Sequence, residues 1–240
     1  MCKVSPSIHF KQKDIIDYCK KNQGKYKDDY DIIQYGFCYM LSMYWIINPD
    51  WMESLLKKLY NNGNFDEGQF DTCMNKLFHY LIILQKSSKL LFDSLTHEEQ
   101  RNVQERAEFD KHRMKYFYCD DKYKKKIRGG KKIILCGKEF KSITIVQEIS
   151  QNVDSLLIHV FYTDDKGAQG GHTVAVRVVE GKCDIVRFFD PNFGICEVPR
   201  NELDKIILDH FTNTCKVTVT YIQVMVVGIK NDSKTDFCYI

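Results

Sequence analysis

Two textures divide the chain. Up to about residue 118, apolar residues recur at helical spacing; from about residue 132 they gather in short runs rich in β-branched and aromatic residues. The first texture predicts helices over Asp14–Lys21 and over an uncharged stretch from Gln34 to Ile47. In Trp51–Tyr60, Trp51, Leu55 and Leu59 recur at helical spacing, and Gln69–Leu84 carries a stripe of Phe70, Met74, Leu77, Phe78 and Leu81. The run Thr96-His-Glu-Glu99 is a capping box opening a charged helix that reaches toward Tyr118. The second texture predicts strands over 132–136, 155–163, 172–180, 183–189 and 215–227, with a short helix, Glu202–Phe211, before the last. Helices first and an antiparallel sheet later is the α+β pattern.

The uncharged stretch stands out in a chain that is 28% charged. Gly36 and Phe37 break from the preceding loop, Cys38 falls in the first turn, and Leu41, Trp45 and Ile46 bury the helix behind it. A thiol at a helix N-terminus feels the positive end of the helix dipole, which favours its thiolate.

A hairpin in the second half brings the partners. Residues 170–194 read Gly-Gly-His-Thr-Val-Ala-Val, a short turn at Glu-Gly-Lys, then Phe-Phe-Asp-Pro-Asn-Phe-Gly. His172 opens one strand and Asp190 closes the next, so antiparallel pairing sets an imidazole beside a carboxylate at the rim of the sheet. That arrangement orients a histidine and stabilises its protonated form. A cysteine in an apolar helix is usually inert core, and Asp-Pro-Asn is usually a turn. Here each of the three sits at the end of an element, where chemistry needs it. The order Cys, His, Asp, with a long insertion between the first two, is a papain-like layout.

The blocks around Cys38, His172 and Asp190 resemble those of YopT/AvrPphB-type papain-fold cysteine proteases, effectors of bacterial pathogens and symbionts. The resemblance spans roughly residues 30–228 and is specific only in the blocks. It implies a papain-like fold, Cys38 as nucleophile, His172 as general base and Asp190 as its orienter. It further implies delivery by a bacterial secretion system and action in the host cytosol on a host protein, such as a small GTPase or a kinase. Papain's oxyanion glutamine lies six residues before the nucleophile, where this chain has Ile32. Gln34 is the nearest amide donor, with the Cys38 N–H as the second. The same triad would serve a transglutaminase-like acyltransferase or deamidase, and a silent member would be a binding module.

The bulk composition adds limits. The 240 residues divide as a 1–28 extension and a 29–240 protease domain, with a helical part 29–121 and a sheet part 133–240. Net charge is +3 from 35 basic and 32 acidic residues, too balanced to argue for nucleic acid. Between the textures lies a basic run, Lys122, Lys124, Lys125, Lys126, Arg128, Lys131 and Lys132, a solvated loop that could also touch an anionic membrane surface. Ten cysteines contain no Cys-x-x-Cys pair, so zinc-ribbon and thioredoxin readings fail and a reducing compartment is expected. No cofactor or metal is expected, and the chain is expected to be a soluble monomer. The N-terminal residues lack the apolar run of a signal peptide and carry Cys2 in place of glycine, so neither a signal peptide nor myristoylation is expected. Cys238 misses the prenylation pattern by one position.

Overall fold

The computed structural model describes residues 5–86 apart from 35, 62, 75–76, 80 and 84, residues 127–128 and 132–136, and residues 155–229 apart from 180–181. The helix expected at 96–118 and most of the basic run lie outside them. The helical half comprises α1 (Gln12–Lys21), α2 (Gln23–Ile33), α3 (Cys38–Ile47) and α4 (Pro49–Leu59). A three-residue helical turn, α5 (Glu67–Gln69), runs into a π-helical turn at Phe70–Met74. Local chemistry sets these boundaries. Gly36 takes a positive φ of 93°, which ends the approach to α3. Pro49 starts α4 at the position where its missing N–H costs nothing.

The antiparallel sheet has the order β1 (Ile8–His9), β9 (Gly194–Pro199), β8 (Lys182–Asp190), β7 (Gln169–Val179), β6 (Ser155–Thr163), β10 (Thr218–Ile229). The far edge of β10 pairs with β4 (Ile127–Arg128) and β5 (Lys132–Cys136). A separate two-stranded ribbon joins β2 (Tyr60–Asn61) to β3 (Asn64–Phe65). The expected α+β architecture is therefore observed, with two short segments, β1 and β9, extending the edge beyond the expected strands. Residues 8–28, expected as an extension, are built into the same body: β1 is an edge strand, and Ile15, Tyr18 and Cys19 of α1 are buried.

Both faces of the sheet are covered. Leu157, Ala175, Phe189 and Ile195 join the core under the helices, together with Trp45, Leu56 and Phe70. Their neighbours of opposite parity, Leu156, Ile158, Val174, Val176, Val186 and Phe188, point the other way. There they meet Leu203, Ile206 and Ile207 of α6 (Leu203–Asp209) and Phe211 just beyond it. The two-residue period of the strands thus sorts one set of side chains to each layer.

α3 lies at the centre, and every residue from Tyr39 to Ile47 is buried. α4 buries a single stripe: Met52, Leu55, Leu56 and Leu59 face inward, whereas Trp51, expected on that stripe, is 43% exposed and meets Tyr44 edge-on. The buried set follows the i, i+3, i+4, i+7 rule from Met52, which leaves Trp51 off the stripe. Glu53 ties α4 to β8 through Arg187, whose Nη1 lies 2.8 and 2.9 Å from its two carboxylate oxygens.

Gly194 pins the edge next to the Asp190 turn. Its φ is +113°, and a Cβ there would lie 2.0 Å from the carbonyl oxygen of Ile8. Replacing Gly194 with alanine should destabilise the fold by more than about 2 kcal/mol, from the strained backbone together with the clash. Urea unfolding checks this; an unchanged midpoint would show that β1 does not seat against β9 as described.

Candidate active site

Three pieces of chain meet at one rim of the sheet. The first turn of α3 brings Cys38, β7 brings His172 and Thr173, and the end of β8 brings Asp190. α3 is fixed on β7 by the Ser42 hydroxyl, which donates to the carbonyl of Thr173 at 3.0 Å in a buried contact. β7 starts at Gln169, three residues before His172, because the hairpin with β6 pairs Gln169 with Thr163. His172 lies within this strand rather than at its start. Asp190 is the last residue of β8, and its side chain reaches diagonally to Nε2 of His172, Oδ1 lying 2.7 Å away.

Asp190 is fully buried and His172 nearly so, whereas Cys38 is partly exposed. A pocket of about 150 Å³ opens beside the thiol, lined among others by Cys38, Tyr39, Gln85, His159, His172 and Thr173. His159 stacks on Tyr39 with ring planes 7° apart, and its Nδ1 lies 2.9 Å from the Thr173 hydroxyl.

Electrostatics pull the three groups in opposite directions. Burial opposes ionisation of the Cys38 thiol, but the charge and hydrogen bond of His172, with bonds from Thr173, outweigh it and lower its pKa. Burial alone would also lower the pKa of His172; the neighbouring Asp190 and Cys38 instead raise it well above the ordinary value. Asp190, which burial would raise, is held well below the usual carboxylate range by His172 and His210. Cys19 and Cys196 show the contrast: burial pushes both thiols up to about 12. A thiol driven down among thiols driven up marks a site where charge has been arranged.

The chain matches the profile of the peptidase C58 family, described as Yersinia/Haemophilus virulence surface antigen, over residues 9–217. It belongs to that family. As a C58 peptidase it is a cysteine protease. It is also similar to the crystal structure of the Pseudomonas avirulence protein AvrPphB, at 16% identity, over 80% of this chain and 91% of that one, with a TM-score of 0.46. No curated protein matches.

Not every expected residue reaches this pocket. Gln34 is exposed at the end of α2, and its amide donates to the carbonyl of Asp31 at 3.2 Å. It does not line the pocket, because the left-handed turn at Gly36 separates it from α3. Of the basic run, only the backbone of 127–128 and of 132 is described, in strands, so Lys122, Lys124, Lys125, Lys126 and Lys131 lie outside the described residues. Among the described residues, no cluster of His, Cys, Asp and Glu could hold a metal, and no helix is long and apolar enough to cross a membrane.

Three residues escaped the sequence reading. Gln85 lines the pocket with its Oε1 buried and without a hydrogen-bond partner among the described residues. His210 meets the second oxygen of Asp190 at 2.6 Å. Gln12 is buried at the start of α1 and spans the site from behind. Its Oε1 accepts from the Phe37 N–H at 2.9 Å, and its Nε2 donates to Oδ1 of Asn192 at 2.8 Å. The Asn192 N–H in turn donates to Oδ1 of Asp190 at 2.6 Å.

This gives a closed ring: Cys38, His172, Asp190, Asn192, Gln12, and the Phe37 backbone beside Cys38 again. Gln12→Met keeps the volume and leaves the buried Phe37 N–H without its acceptor. It should cost about 1–3 kcal/mol of stability. Denaturant unfolding measures this, and a neutral substitution would mean that the ring does not form in solution.

Proposed function

We propose that Cys38, His172 and Asp190 form a catalytic triad that hydrolyses a peptide bond in a host protein. The observation that carries this reading is the buried carboxylate–imidazole contact next to a thiol whose pKa is driven down. In this reading the Cys38 thiolate attacks the scissile carbonyl carbon, and the carbonyl π electrons move to oxygen. Backbone N–H groups in the first turn of α3, that of Cys38 among them, have no acceptor within the helix and are available to the oxyanion. Collapse of the intermediate breaks the C–N bond as His172 gives its proton to the leaving amine. Neutral His172 then takes a proton from water, whose oxygen releases the acyl group from sulfur. Asp190 holds the ring and stabilises its charge throughout.

The pocket supplies the substrate side. Gln85 Oε1 is a buried acceptor placed to receive an N–H from the bound chain. Membership in a virulence-associated family supports delivery into host cells and a host cytosolic substrate.

The test incubates host cytosolic extract with the wild type and with Cys38→Ala, and reads both new N-termini and mass changes on intact side chains. New N-termini that vanish in Cys38→Ala are expected. A gain of about one mass unit on glutamine, without chain cleavage, would overturn the protease reading in favour of a deamidase that uses the same groups. No difference between the two proteins would leave a binding module.

A further inference from the structure

His172 engages only one of the two oxygens of Asp190. The other, Oδ2, lies 2.6 Å from Nε2 of His210, on the π-helical turn (His210–Thr214) that comes after α6. The side chain of His210 is 10% exposed and that of Asp190 is 0% exposed, so this contact is closed off from bulk water. Oδ1 already accepts from both His172 and the Asn192 N–H. Without His210, Oδ2 would be a buried anionic oxygen with no donor described for it. The carboxylate would also lose the contact that fixes its plane.

The ring of His210 is itself held. Phe188, Phe193 and Phe211 meet it edge-on with centroids 5.9, 5.1 and 5.5 Å away. Among the described residues, the titratable groups facing it are Asp190 from β8 and Cys215 just after its own turn, whose sulfur lies 3.9 Å from Nε2. His172 stands on the far side of the carboxylate.

We propose that His210 is a positioning residue of this protease: its Nε2–H fixes the plane of Asp190 and, through it, the ring of His172 facing Cys38. The inference rests on the triad reading above. Burial would lower the pKa of His210, but its bonds to Asp190 and Cys215 raise it to about 9. A raised pKa keeps the ring protonated below that value, so at neutral pH the carboxylate lies between two cations. Loss of the His210 proton above about pH 9 removes a positive charge but leaves the Nε2–H able to donate.

Two variants separate the hydrogen bond from ring packing. His210→Phe keeps an aromatic ring among its three phenylalanine neighbours and removes the donor. His210→Gln supplies an amide N–H without the charge. The readout is the rate of iodoacetamide labelling of each cysteine as a function of pH, in the wild type, His172→Ala and both variants. At about pH 6 Cys38 should label about 10- to 100-fold more slowly in His210→Phe, the size expected for one lost hydrogen bond to a charged group. The acid limb of its profile should move to higher pH, and His210→Gln should recover most of the rate. Wild-type labelling in His210→Phe overturns the inference, as does an equal loss in both variants.

If His210→Phe does not fold, nitrogen-15 spectra of the histidine rings in the wild type decide. Nε2 of His210 should carry a proton on both sides of the ring's titration, and a neutral His210 protonated on Nδ1 instead overturns the inference. A wild-type Cys38 that is unreactive, or indifferent to His172→Ala, overturns the triad reading and this inference with it. A reactive, His172-dependent Cys38 that ignores His210→Phe overturns this inference alone.

Discussion

A carboxylate with no exposure to water must be surrounded by donors, and among the described residues Asp190 has three: His172, His210 and the N–H of Asn192. An ionised carboxyl in a low-dielectric interior costs several kcal/mol unless it is paired and hydrogen-bonded. Much of the surrounding structure can be understood as meeting that requirement. The Asp190-Pro-Asn192 turn folds back so that the Asn192 N–H reaches the side chain. β1 pairs beside it with the Gly194 end of β9, and α6 with its π-helical extension carries His210 onto the opposite oxygen. The charge of Asp190 then holds His172 protonated, and His172 draws the Cys38 thiol toward its thiolate.

The sheet and α3 convert that local need into geometry. Parity along β7 sends His172 to the same face as Val174 and Val176, and parity along β8 sends Asp190 with Val186 and Phe188. Thr173 falls on the other face, where its carbonyl receives Ser42 of α3. One strand thus addresses the carboxylate on one side and the helix that carries Cys38 on the other. Gln12 closes the circuit at the back, joining the N–H before Cys38 to the turn after Asp190. A residue read as part of an extension is therefore integral to the ring.

The features legible in the sequence were those that glycine, proline and hydrophobic period announce. Gly36 before Cys38 and Pro191 after Asp190 mark the ends of elements, whereas Gly170 and Gly171, expected to do the same for His172, lie inside β7. The apolar run behind Cys38 announces a buried helix. The supports of the site give no such signal. Gln12 and Asn192 meet across 180 positions of chain, and His210 reaches Asp190 from 20 residues away. Nothing local marks either as different from an ordinary surface residue. Gln34 misled for the complementary reason: counted along the chain it stands near Cys38, but the positive φ of Gly36 turns the backbone and leaves its amide at the end of α2. Trp51 is similar, since the helical stripe of α4 is set by Met52, one residue on.

In the proposed triad, the charge that Asp190 anchors holds Cys38 toward its thiolate through His172. The direct measurement is the ultraviolet absorbance of thiolate as a function of pH, taken as the difference between the wild type and Cys38→Ser. A thiolate signal should persist well below about pH 8.5, where an ordinary thiol titrates. It should be lost from that range when Asp190 is replaced by alanine in a protein that still folds. A Cys38 signal that rises only with ordinary thiols would show that Asp190 and His172 do not hold the sulfur ionised.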